Sequence, residues 1–129
     1  MLHNLYTPEG ETLTGIPWQV YPRPQMKRES YVNLNGSWDY TVSAESTLPK
    51  AYDAKILVPF CPESDLSGVG HKDFLQGVWY QKKVTLTQDQ CDGTVFLHFG
   101  AVDYEAAVYV NGKAAIIPFN KRPGNYSTA

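Results

Sequence analysis

Apolar residues in this chain recur with a period of two in short runs, and no window of useful length carries the period of an amphipathic helix. A chain patterned this way buries its apolar side chains by pairing strands, so the pattern predicts an all-β fold. The clearest run follows Asn35-Gly36, where Trp38, Tyr40 and Val42 alternate with Asp39 and Thr41 on a strand entered through a turn. Lys55-Ile56-Leu57-Val58 is a second, shorter strand stopped by Pro59 and Pro62, and a loop runs on from Pro59 to about Gln76. Residues 78–86 read as a long strand with Val78, Tyr80, Val84 and Leu86 on one side and Gln81, Lys83 and Thr85 on the other. Asp92-Gly93 turns the chain into residues 94–99, where Val95, Leu97 and Phe99 share a face. Residues 104–110 form a fifth strand, and Asn111-Gly112 behind it is the strongest hairpin signal present, so a returning strand is expected. Ahead of all this, Pro8, Pro17, Pro22 and Pro24 oppose helix or central strand, which predicts an extended, surface-hugging lead-in over residues 1–31. Strands of this number and spacing suggest a sandwich.

At 129 residues the chain is one domain's worth of material, long enough to bury a core without disulfides or metals. A net charge of −2 offers no broad basic surface to a phosphate backbone, which excludes nucleic acid as an expected partner. The first residues lack a basic stretch followed by a long apolar run, and no segment approaches membrane-spanning length. A cytoplasmic location with no membrane partner is the expectation. Cys61 and Cys91 sit in no metal-ligand spacing and read as reduced, small packing residues, with a Cys61–Cys91 disulfide as the alternative. No metal and no cofactor are expected.

Four stretches, taken in order, resemble the sugar-binding N-terminal domain of glycoside hydrolase family two, which holds β-galactosidases, β-glucuronidases and β-mannosidases. They are Asn33-Leu34-Asn35-Gly36-Ser37-Trp38, then Val58-Pro59-Phe60-Cys61-Pro62-Glu63-Ser64, then Gly77-Val78-Trp79-Tyr80-Gln81-Lys82. The fourth is Leu97-His98-Phe99-Gly100-Ala101-Val102-Asp103-Tyr104, running on to Val108-Tyr109-Val110-Asn111-Gly112. The resemblance covers roughly Tyr21 to Lys113 and implies a jelly-roll-like sandwich, galactose-binding-domain-like and here missing its last strands, ahead of an immunoglobulin-like domain and a (β/α)₈ barrel. In that family both catalytic carboxylates lie in the barrel, so the resemblance implies a non-catalytic fragment that hydrolyses no O-glycosyl bond by itself. A retaining mechanism needs two carboxyl groups about 5 Å apart. Asp103 with Glu105 reads better as a solvated strand face, and Glu63 with Asp65 is the other candidate pair.

By the same resemblance Glu63 and Ser64 lie in a loop near the barrel mouth, where short polar side chains hydrogen-bond a sugar hydroxyl, and His71 faces the same cleft. The bland alternative is a turn whose Ser64 and Asp65 bond local backbone and whose His71 is merely solvated. Trp79, opposite in phase to Val78 and Tyr80, either stacks on a sugar face or packs beneath a neighbour, while Trp38 is core by phase. The expected partners are a β-galactoside or β-glucuronide and the rest of a homo-oligomeric enzyme. A free-standing carbohydrate-binding or protein-interaction module is the competing reading, weakened by the unpaired edge and apolar face expected beyond the last hairpin.

The domain is expected to span residues 1–113, with an atypical tail over 114–129. In that tail alternation stops, Pro118 and Pro123 oppose a paired strand, and the His-containing segment usual in the family is missing. One nucleotide over, ordinary codons for residues 116–129 encode a His-His segment closer to the family, which points to a frameshift near Ala115. Sequencing the gene through residues 111–129 should reveal that segment in another frame, followed by barrel-encoding sequence. A continuous stop in every frame would remove the idea.

Overall fold

The computed structural model describes residues 5–21, 23–103 and 105–116. Its strands are antiparallel and its helices few and short, so the chain is β-rich as the alternation predicts. Two compact units divide it, Met1–Leu86 and Thr87–Ala129.

The first unit is built on a three-stranded sheet in which β1 (Gly36–Val42) runs between β2 (Ala54–Val58) and β3 (Val78–Gln81). Register follows the pleat: Trp38 lies opposite Ile56, and Tyr40 lies opposite both Ala54 and Tyr80, so these side chains share one face. Ile56 is 1% exposed and Tyr40 3%, the buried pair among the large apolar side chains described. On the other face Asp39 opposes Lys55 and forms an ion pair with it, and Thr41 opposes Trp79. Gly77 sets the entry to β3. Its carbonyl accepts from Ser43 N at 3.1 Å, and a Cβ there would stand 2.5 Å from the Ser43 carbonyl oxygen, so any side chain would push the two backbones apart.

The Asn-Leu-Asn-Gly stretch ahead of β1 acts as a brace. Asn33 Nδ2 donates to Trp18 O at 2.8 Å, Asn35 Nδ2 donates to the same oxygen at 3.4 Å, and Asn33 Oδ1 accepts from Asn35 N at 2.8 Å. Trp38 is half-buried rather than fully core, and its indole N–H donates to Leu34 O at 2.8 Å. These bonds pin the lead-in against the start of β1. Trp18, held at a φ of 50°, sets its ring 5.8 Å from that of Phe60.

Several expectations need correction. Two prolines of the lead-in start helical turns instead of preventing them: Pro8 opens α1 (Pro8–Thr12) and Pro24 opens a 3₁₀ turn, Pro24–Met26. Both prolines sit where the missing N–H has no partner to lose, and Thr7 Oγ1 caps α1 by accepting from Gly10 N at 3.1 Å. The strand expected over residues 78–86 stops at Gln81, the last residue opposed by β1. Lys82 instead donates from Nζ to Ser37 O at 3.0 Å and lies 5.6 Å from the centre of the Trp38 ring. Cys61 and Cys91 are free thiols as expected, but both are exposed and fill no core.

In the second unit α2 (Gln88–Cys91) is a single turn closed by a capping box between Thr87 and Gln90. The strand expected over residues 94–99 does not form. Val95, Phe96, Leu97 and Phe99 are all exposed, because alternation supplies a face but no strand lies beside this one among the described residues. The hairpin holds: β4 (Val108–Val110) returns as β5 (Lys113–Ile116) through Asn111 and Gly112, with φ of 51° and 78° as a type I′ turn demands. Of the expected strand over 104–110, Tyr104 lies outside the described residues, as do residues 117–129 of the atypical tail.

With so small a core, one methyl-rich side chain carries much of the cohesion. Ile56→Ala should destabilise the first unit by about 2–5 kcal/mol, read as a lowered urea midpoint or loss of a cooperative transition.

Candidate functional site

The segment joining β2 to β3 holds three of the four residues singled out from the sequence, and short-range bonds fix its shape. After the cis Val58–Pro59 bond, Phe60 N donates to Leu57 O at 3.1 Å and Ser64 N to Cys61 O at 3.0 Å. A 3₁₀ turn, Asp65–Ser67, follows. Ser64 caps it, its Oγ accepting from Leu66 N at 3.2 Å, and the buried Ser67 donates from Oγ to Ser64 O at 2.7 Å. His71 N then closes the loop on Pro62 O at 2.8 Å.

Glu63, Ser64 and His71 are therefore gathered on one rigid loop. Ser64 spends its hydroxyl oxygen on the local cap, Glu63 is exposed, and His71 is half-buried. Trp79 is not with them. It is half-buried on the polar face of the sheet opposite Thr41, whereas Glu63 acts electrostatically on the hydroxyls of Tyr40 and Tyr80, which belong to the other face. Asp65 is an unsuitable partner for Glu63 in a two-carboxylate site: it accepts from Tyr6 Oη at 3.2 Å and pairs with Lys72 Nζ at 3.3 Å. Among the described residues no three His, Cys, Asp or Glu side chains converge as a metal site.

Beneath the loop lies a polar feature that the alternation hides. The rings of Tyr40 and Tyr80 meet edge to face at 5.5 Å, and the Tyr40 hydroxyl is buried with no hydrogen-bond partner among the described residues. Burial pushes the Tyr80 phenol up to about 12, helped by Tyr40, Glu63 and Cys61. Burial also raises Tyr40, helped by Glu63 and Asp53. Both phenols thus stay protonated over any physiological range and can act as donors, with the Glu63 carboxylate nearby as acceptor. Phase alone marks Tyr40 and Tyr80 as core. Their shared register is the signal that brings the two rings together, and it needs the strand pairing to be known.

The chain is similar to the β-glucuronidase of Streptococcus agalactiae serotype V (strain ATCC BAA-611 / 2603 V/R), with 25% identity over 96 residues. That stretch covers 72% of this chain and 16% of the enzyme, so the chain spans a small part of the curated relative it matches. The similarity suggests a glycoside hydrolase-like domain. No family model matches the chain, and among the described residues no helix is long and apolar enough to cross a membrane.

The tyrosine pair makes stability depend on alkaline pH. Folding raises the Tyr80 pKa from 10.0 to about 12, so the folded state holds the proton more tightly than the unfolded chain. The resulting stabilisation is complete below pH 10 and is lost as pH rises through about 12. In a phenolate absorbance titration, Tyr80→Phe should delete a late step near pH 12. An unchanged late step would contradict the assignment.

Proposed function

We propose that this chain is the non-catalytic sugar-binding domain of a glycoside hydrolase of the β-galactosidase and β-glucuronidase type. In this reading it is a jelly-roll-like sandwich over residues 1–113 with an atypical tail behind it. The O-glycosyl bond is hydrolysed only by the full-length enzyme, a cytoplasmic homo-oligomer of carbohydrate metabolism. The domain's part is to pack beside the catalytic barrel and lend loop side chains to the substrate.

The observation that carries the reading is the similarity to β-glucuronidase over 72% of the chain. Two features of the molecule support it. The segment from Pro59 to His71 is held in shape by its own backbone and side-chain bonds, so polar groups on it are positioned at low entropic cost. On that segment Glu63 accepts from a sugar hydroxyl and His71 offers a ring nitrogen, while Ser64 keeps the loop in shape and retains its O–H to donate. Trp79, on the polar face with Asp39, Thr41 and Gln81, offers a flat ring to a sugar or to a neighbouring domain.

Titration of the chain with methyl β-galactoside and methyl β-glucuronide, followed by amide chemical shifts, should move resonances of residues 62–71. Glu63→Gln and His71→Ala should each weaken binding by about tenfold, the loss of one hydrogen bond to a charged or polar partner. The purified chain should release no 4-nitrophenol from either aryl glycoside. Release of 4-nitrophenol with turnover, or binding indifferent to both substitutions, would overturn the proposal.

A further inference from the structure

A second site lies apart from this loop, in the lead-in, and it rests on none of the preceding reading. The 3₁₀ turn at Pro24–Met26, closed by Met26 N donating to Arg23 O at 2.9 Å, reverses the chain. It brings Tyr21 and Tyr31 edge to face at 4.7 Å and 89°. The folded-back segment borders an open groove of about 410 Å³, lined by Gln19, Tyr21, Lys27, Arg28, Glu29 and Tyr31 among others, most of them exposed. That volume falls within the range of small-molecule sites.

The lining has a definite chemistry. In an edge-to-face pair the ring that presents its edge keeps both faces clear of its partner, so a flat apolar surface is available for the C–H face of a pyranose. Among the described residues neither Lys27 nor Arg28 makes an ion pair, so both cations remain available to a ligand. Guanidinium and ammonium beside each other suit a carboxylate, the first by two parallel bonds and the second as a point charge. Glu29 supplies an acceptor for hydroxyls, as does Gln19 Oε1, whose amide is held by Nε2 donating to Pro17 O at 3.3 Å. Two cations against one carboxylate leave a single net positive charge at the groove, in a chain whose net charge is −2. One net charge matches one carboxylate at a time, as on a single ring of an acidic oligosaccharide, and argues against the charge of a di- or triphosphate concentrated at one point, which Glu29 would repel.

We propose that the groove between Tyr21, Tyr31, Lys27 and Arg28 is an accessory binding site for an acidic saccharide, one hexuronate ring at a time. The ring lies against tyrosine, its carboxylate meets Lys27 and Arg28, and its hydroxyls donate to Glu29 and Gln19.

Calorimetric titration of the full chain with trigalacturonate tests this, with galactotriose as the neutral probe and inorganic phosphate as a competitor. Amide shift mapping on the unaltered chain locates the contact. Trigalacturonate should bind saturably, shift residues 19–31 and not 62–71, and lose about tenfold or more in affinity in the double variant Lys27→Gln/Arg28→Gln. Melting of that variant should be unchanged, since both side chains are exposed. Galactotriose should bind at least about tenfold more weakly. The proposal is overturned by absent binding in a cooperatively folded chain, or by a double variant that binds equally. It is also overturned by galactotriose shifting residues 19–31 at the same concentration as the uronate, or by phosphate competing there at the same concentration, which would mark an anion site with no saccharide recognition. Each of these outcomes leaves the loop at Glu63 and His71 to its own test.

Discussion

The fold of the first unit depends on the central position of Tyr40. Its strand is the one paired on both sides, and its ring stands in a line with Ala54 and Tyr80 across the sheet. That ring and Ile56 are the buried apolar core of the sheet, and the 3₁₀ turn Asp65–Ser67 in the Pro59-to-Gly77 segment packs against β2, so the segment is partly a cover. The cover has an electrostatic side as well. Burial raises the pKa values of both phenols, Glu63 adds to the rise, and the phenols remain neutral donors near a carboxylate. Core and candidate site are thus two sides of one layer.

The motifs that carry a family resemblance turn out to have structural work that needs no ligand. Asn33 and Asn35 converge on one carbonyl of the lead-in, Trp38 reaches back to Leu34, and Lys82 reaches across to Ser37. The bonds of Asn33, Asn35 and Lys82 join segments 15, 17 and 45 residues apart in sequence, whereas that of Trp38 is local, four residues back. They explain why such a small core suffices. The ion pair of Asp39 with Lys55 on the opposite, wet face contributes little by comparison, since both partners are solvated.

What the sequence made legible follows the range of the forces involved. β1 and β2 were readable because alternation and the stop at Pro59 are local, and the Asn111-Gly112 turn because its left-handed backbone restricts residue type. The early end of β3 and the absence of a strand at 94–99 were not, because each depends on whether another strand lies alongside. The helix starts at Thr7-Pro8 and at Thr87 with Gln90 go unread, the first because proline reads only as a breaker, and both because each helix is too short to show a period. In the candidate site, the grouping of Glu63, Ser64 and His71 is a property of one loop, and the separation of Trp79 follows from strand phase. The meeting of the Tyr40 and Tyr80 rings, and the groove at Tyr21 and Tyr31, arise from pairing and chain reversal that spacing does not encode.

Val95, Leu97 and Phe99 keep the alternation of a strand while lying exposed, with their backbone outside any ladder among the described residues. Such a segment completes itself by second-order chemistry: its natural complement is another strand, and the rate of finding one rises with the amount of protein present. Where that complement comes from a second copy, protein concentration becomes a thermodynamic variable alongside temperature and denaturant. A dilute sample and a concentrated one need not share a single folded state.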